Sequence, residues 1–286
     1  MKKGINAWCF PSGLTLAEVF SLASECRFDA IEINMSEASG DGGGLEGVAQ
    51  TDGGGLTLGI SENGLAAIKK LSERYTLPIS SISTGLHWRY SLTDPDDAIR
   101  EKGMRIVVEM LDAAAYLGCD TVLVVPGAVT ERVSYRKAYD RSLDAFMSLK
   151  KHAELKRVAI GVENVWNKFL LSPLEMAAFI DTVGSDYVGA YFDAGNVLQY
   201  SYPQHWAEAL GRRIKKVHIK DFDVGIGNIT GFKPLLQGNL PWDKLMAALR
   251  EAGYDSYLTA ELSPYPTNPV QLIKDTSAAM DYILNL

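Results

Sequence analysis

A chain of 286 residues with 47% hydrophobic residues can bury a large core, and α/β barrels reach this length as one domain. Its 28 basic residues are outnumbered by 35 acidic ones, a formal charge of −7, which argues against a nucleic-acid or anionic-membrane partner because neutralising phosphates needs a basic face. No apolar run reaches the roughly 18 residues of a membrane span, and the N-terminus enters a strand-like segment without a signal-peptide core, so a cytoplasmic location is expected.

Taken in chain order, short β-branched runs at 3–8, 30–35, 79–84, 121–125, 158–163, 188–193, 214–219 and 257–262 predict eight strands. Segments with helical spacing alternate with them at 15–26, 61–75, 96–117, 134–152, 173–182, 203–210, 241–252 and 269–284. Ser172-Pro173 puts a capping hydroxyl before a proline at the first helical position, and Asp94-Pro95 gives a similar start signal. Gly118 and Gly253 mark helix exits. Eight strand–helix repeats predict an α/β fold, a single (β/α)8 TIM barrel over residues 1–286. A doubly wound open sheet would need a phosphate-binding fingerprint after the first strand, and Trp8-Cys9-Phe10-Pro11-Ser12-Gly13 is not one. The three cysteines, Cys9, Cys26 and Cys119, form no thiolate metal pattern and are expected to be reduced.

One segment breaks the rhythm. A glycine-rich β2α2 loop spans 36–60, with Gly42-Gly43-Gly44 and Gly53-Gly54-Gly55 inside it. Following the second strand, it belongs to the C-terminal rim, where such loops act as lids or as plain mobile insertions. A phosphate nest is the weaker option, since no Lys-Ser/Thr and helix start follow the glycines.

Barrel interiors are filled by packed side chains, whereas the C-terminal rim hosts active sites. The last four predicted strands end in Glu163, Asp193, His218 and Glu261. Period-two alternation sends Val162, Phe192, Val217 and Ala260 toward the helices, so the four polar groups point inward. Three carboxylates brought to one rim repel one another, and a divalent cation resolves that conflict. Three oxygen ligands and one imidazole suit a single Mn²⁺, Co²⁺ or Mg²⁺, with Zn²⁺ also compatible.

Strands five and eight lie nearly across a closed ring of eight, so Glu163 and Glu261 approach a bound substrate from opposite faces. That geometry suits a general acid and a general base. The metal would polarise a hydroxy-ketone and stabilise the enediolate formed by proton removal. Return of the proton to the opposite face gives epimerisation; return to the neighbouring carbon gives aldose–ketose isomerisation.

The runs Gly161-Val162-Glu163-Asn164, Phe192-Asp193-Ala194-Gly195-Asn196, His218-Ile219-Lys220-Asp221 and Thr259-Ala260-Glu261-Leu262 resemble the xylose isomerase-like TIM barrel superfamily. The resemblance implies a mononuclear metal at Glu163, Asp193, His218 and Glu261, with the two glutamates as acid/base pair. It implies a small carbohydrate or carbohydrate phosphate as substrate, acted on by an isomerase or epimerase. Ketose 3-epimerases of that superfamily tend to carry a histidine three residues after the metal aspartate and an arginine six after the metal histidine. Here Asn196 and Val224 stand in those places. The alternatives are an inosose dehydratase-like hydro-lyase and a non-catalytic sugar-binding barrel. A nuclease with three zinc ions is disfavoured by the four histidines of the whole chain.

Further rim candidates are Trp8, His87, Arg89, Trp166, Asn196 and Lys220. Trp8 and Trp166 offer indole faces for a sugar ring, or simply pack. His87 could contact substrate hydroxyls and Arg89 an anion, or they are a packed loop histidine and a surface arginine. Lys220 either stabilises a developing oxyanion or pairs with Asp221, the pair being slightly favoured. A buried Glu32 would need a partner, a lysine or the metal network. A homo-oligomer is compatible with this sequence.

Overall fold

The computed structural model describes residues 1–37 and 55–286. Among these residues, ten strands run in chain order: β1 (Lys2–Asn6), β2 (Ala30–Asn34), β3 (Ile79–Ser83), β4 (Thr121–Val124), β5 (Ala159–Glu163), β6 (Val188–Asp193), β7 (Ile214–Ile219), β8 (Asp221–Phe222), β9 (Phe232–Lys233) and β10 (Tyr257–Ala260). The helices are α1 (Leu16–Glu25), α2 (Glu62–Tyr75), α3 (Asp97–Leu117), α4 (Tyr135–Lys156), α5 (Pro173–Val183), α6 (Pro203–Leu210), α7 (Trp242–Glu251) and α8 (Pro269–Leu284). Eight strands close a parallel barrel in the order β1-β10-β7-β6-β5-β4-β3-β2, the expected (β/α)8 architecture. Val162, Phe192, Val217 and Ala260 are fully buried in the apolar layer between strands and helices, and the Phe192 ring stacks on Trp206 of α6 at 6.4 Å. No helix among the described residues is long and apolar enough to cross a membrane.

Local chemistry explains where the elements start and stop. Thr15 and Glu18 form a reciprocal capping box at α1. Ser172 caps α5 from before Pro173, as the sequence predicts. The Asp94-Pro95 signal lies upstream of the true start. Asp96 is the cap of α3, its carboxylate accepting from the Ala98 N–H at 2.8 Å, because the residue before a proline is pushed away from helical backbone. Strand β1 ends at Asn6 rather than at residue 8, since the Asn6 side chain accepts from the Trp8 N–H at 2.6 Å and turns 7–9 into a 3₁₀ turn. Helix α4 runs past the predicted 152 to Lys156 before Arg157 closes it in a left-handed conformation.

Two features are new. The β7–α7 connection carries an antiparallel ribbon, β8 against β9, whose two-residue strands are too short to show a period. Strand registers also slip at Ile31/Glu32 against β3 and at Ala190/Tyr191 against β7. Of the glycine-rich loop expected at 36–60, residues 38–54 lie outside the described residues. Its flanks are joined by a parallel bridge between Ser36 and Thr57. The three cysteines are free, with Cys9 and Cys119 buried.

Candidate metal centre

At the C-terminal end of the barrel, Glu163 closes β5, Asp193 closes β6, His218 is the penultimate residue of β7, and Glu261 follows β10. One donor atom from each lies within 4.8 Å of the other three. Ligands on opposite sides of a hard cation sit about 4–5 Å apart when each bond is about 2.0–2.6 Å, so the cluster has the span of one ion. Asp193 and His218 are fully buried and Glu163 nearly so, while Glu261 is partly open to the rim.

The donor chemistry fits a divalent cation. His218 Nε2 is 2.7 Å from Glu32 Oε1, whereas Nδ1 is buried without a hydrogen-bond partner among the described residues. That nitrogen is 3.6 Å from Glu163 Oε1 and 3.6 Å from Glu261 Oε2. Burial opposes a charge on this ring, but Glu32, Glu261 and Glu163 outweigh it and raise the His218 pKa well above its ordinary value. The space between Nδ1 and the carboxylates therefore favours positive charge, which a divalent cation would supply in place of the proton.

Hydrogen bonds to the backbone hold these side chains in place. Asn164 clamps Asp193 from both sides, its Nδ2 donating to the Asp193 carbonyl at 2.8 Å and its Oδ1 accepting the Asp193 N–H at 2.9 Å. The Asn196 N–H donates to Asp193 Oδ1 at 2.9 Å, and Asn196 Nδ2 donates to the Asn164 carbonyl at 3.0 Å. On the other side, Cys9 Sγ accepts the Leu262 N–H at 3.1 Å and reaches the Ala260 carbonyl at 3.3 Å, bracketing Glu261.

The electrostatics follow from this crowding. Burial, reinforced by the Glu261 charge, pushes the Glu163 carboxyl from 4.5 up to about 7 against the opposing contact with His218. Burial likewise raises Asp193, though Lys220 opposes the shift. Burial works against ionisation of Glu261 too, but the Lys220 ammonium and His218 outweigh it and hold that carboxyl low. Lys220 Nζ hydrogen-bonds Glu261 and lies 2.7 Å from Asp193 Oδ2. It therefore pairs with two members of the cluster and not with Asp221, correcting the slightly favoured expectation. Asp221 accepts instead from the Leu240 N–H at 3.0 Å and from Trp242 Nε1 at 3.2 Å, tying the β7–α7 connection. Gly195 makes the Lys220 position available, since a Cβ there would lie 2.4 Å from Lys220 Cγ and 2.6 Å from its carbonyl oxygen.

The remaining candidates divide. Trp166 sits beside the cluster, donating its indole N–H to the Asn196 carbonyl at 2.8 Å and packing against Phe222 and Phe232. Trp8 is half-buried in the turn after β1, with its indole bonded to nothing among the described residues. Among the described residues, neither His87 nor Arg89 hydrogen-bonds or ion-pairs with the cluster. His87 is 2% exposed with both ring nitrogens unpartnered among the described residues, and burial lowers its pKa to about 4. Arg89 is bound by Glu37 at 3.2 Å, which also takes Lys102 at 2.6 Å and the Tyr90 hydroxyl at 2.9 Å. Sequence reasoning gave no role to Asn164, Tyr191 or Cys9. An asparagine directly after the strand-ending Glu163 was the one available signal.

The xylose isomerase-like TIM barrel model matches residues 20–283. The L-ribulose-5-phosphate 3-epimerase UlaE of Salmonella heidelberg (strain SL476) is 22% identical over 284 residues, covering 98% of this chain and 93% of that protein. Among solved structures, D-psicose 3-epimerase from Clostridium cellulolyticum H10 superposes with a TM-score of 0.77 at 16% identity, covering 99% of both chains. The 3-keto-D-glucoside 4-epimerase YcjR from E. coli gives 0.75 at 17% identity over 100% of both. The eight-stranded barrel and the match along nearly its whole length place this chain in the xylose isomerase-like TIM barrel family.

Proposed function

We propose that the protein is a divalent-metal-dependent epimerase or isomerase of a small sugar or sugar phosphate, with Glu163 and Glu261 as its proton-transfer pair. The observation that carries the reading is the placement of these two carboxylates on β5 and after β10, each 3.6 Å from the same nitrogen of His218. Strands β6 and β7 separate them in the barrel order, so they flank whatever occupies the rim centre. The 3-epimerases and the 4-epimerase that this chain resembles support the substrate class.

When bound at Glu163, Asp193, His218 and Glu261, the cation would supply Lewis-acid polarisation of a substrate carbonyl and offset the charge that develops on its oxygen. One glutamate removes the proton from the carbon next to that carbonyl, and the other delivers a proton to the opposite face. Lys220, between Asp193 and Glu261, keeps the Glu261 carboxylate ionised and positioned. Trp166 and Phe232 wall the rim beside Asn196 with apolar surface suited to the carbon face of a sugar ring.

The test is turnover of a panel of ketoses and ketose phosphates in D₂O with Mn²⁺. The expected product keeps the composition of its substrate and carries one solvent deuterium at the inverted or exchanged carbon. Loss of water, or no exchange with any member of the panel, would contradict the proposal.

A further inference from the structure

Beneath the rim, the barrel holds an ionisable group outside the four-residue cluster. Glu32, at an inward position of β2, has 0% exposure. Its carboxylate takes two donors on each oxygen. Oε1 receives Asn6 Nδ2 and His218 Nε2, the latter at 2.7 Å; Oε2 receives the Tyr191 hydroxyl and Ser81 Oγ, the latter at 2.7 Å. All four lone-pair sites are thus engaged by groups from β1, β3, β6 and β7. The Tyr191 ring meets the His218 ring edge-on, with centroids 4.5 Å apart, and so limits imidazole rotation.

Both register slips of the barrel fall at this network. Against β3, the slip between Ile31 and Glu32 brings Ser81 opposite Glu32; against β7, the slip between Ala190 and Tyr191 sets His218 opposite Asp193. An extra residue in a strand interrupts the ladder and re-aims the side chains that follow it. Without the two slips, period-two alternation would turn Ser81 and His218 away from the barrel interior.

We infer that Glu32 is a positioning residue of the metal centre: it holds the His218 proton on Nε2 and so presents Nδ1 to Glu163, Asp193 and Glu261. This rests on the metal-dependent reading above. A carboxylate behind a metal-binding histidine orients the ring and increases its donor strength, and removing one typically weakens metal binding 10- to 100-fold. A merely structural Glu32 would, on mutation, change thermal stability but neither the tautomer nor the metal affinity.

Two measurements decide it. Isothermal titration of the metal-free protein with Mn²⁺ compares wild type with Glu32→Gln, a variant of matching shape whose folding is checked by cooperative unfolding. The expected result is 10- to 100-fold weaker binding by the variant; affinity within twofold of wild type overturns the inference while leaving the metal centre standing. A wild type that binds no Mn²⁺ overturns the inference and the functional reading together. The second measurement needs no variant. Imidazole ¹⁵N NMR of the wild-type protein loaded with diamagnetic Zn²⁺ should find the His218 proton on Nε2, and a proton on Nδ1 overturns the assignment whatever happens to the variant.

Discussion

Glu32 and Glu163 are two glutamates inside one barrel, 0% and 5% exposed, and their surroundings drive them in opposite directions. Burial opposes ionisation in both. At Glu32 the His218 charge and hydrogen bonds from His218, Tyr191 and Ser81 outweigh it and lower the carboxyl to about 2. At Glu163 burial is joined by Glu261 and Asp193, and the carboxyl rises to about 7. The charge of Glu32 on β2 is therefore met by donors from β1, β3, β6 and β7, whereas the rim ends of β5, β6 and β10 gather like charges that their own side chains leave under-compensated. A buried carboxylate with four donors stays ionised, whereas a buried carboxylate facing two others is pushed toward its protonated form.

Removing the cation should break the contrast most severely. Chelation is expected to abolish turnover, with recovery on adding Mn²⁺, and to lower Tm relative to the loaded protein. Metal at a hundred times its Kd stabilises by about 2.7 kcal/mol. Equal melting curves with and without chelator would contradict this.

Next come Glu163→Gln and Glu261→Gln. Each should keep cooperative unfolding and lose at least about 10²-fold in turnover. Near-normal rates in either variant would remove the two-carboxylate mechanism.

The pH dependence of the metal-free protein sharpens the comparison, because the two glutamates have opposite signs. Glu163, raised above its ordinary 4.5, contributes stability that is present below 4.5 and lost as pH rises through about 7. Glu32, lowered to about 2, contributes stability that is present above 4.5 and lost as pH falls through about 2. Denaturation midpoints between pH 4.5 and 7 should therefore fall less steeply in Glu163→Gln than in wild type. Parallel profiles would show that Glu163 titrates normally.

The smallest expected effect is Trp166→Phe. It loses the indole hydrogen bond to the Asn196 carbonyl, worth about 1 kcal/mol, and keeps most of the aromatic packing. A large loss of turnover would mean that the indole does more than close the rim.

The four-residue cluster was legible because each member interrupts an apolar run at its end, where the barrel face is fixed by topology. Glu32 was legible only as a problem: an inward carboxylate needing a partner, with nothing in its own strand to name His218 on the far side. Tyr191 and Ser81 fall at ordinary strand positions, and the register slips that bring the network together leave no trace in periodicity. Lys220 was misassigned for a related reason. Its neighbour Asp221 is adjacent in sequence, but the chain turns at that point into the β8–β9 ribbon and sends Asp221 toward Leu240 and Trp242. His87 follows β3 in a short 3₁₀ turn that buries it, a setting that strand and helix periodicity do not show. Much of the glycine-rich loop, 38–54, lies outside the described residues, and its expected role as a lid or insertion stays with the sequence.

The central claim is that Glu163, Asp193, His218 and Glu261 share one ion. Anomalous diffraction from a Mn²⁺-soaked crystal tests it most directly. A single strong peak is expected within bonding distance of one oxygen from each carboxylate and of His218 Nδ1. A peak bound elsewhere on the rim, or density on the Nε2 side of His218 in place of the Glu32 contact, would contradict it.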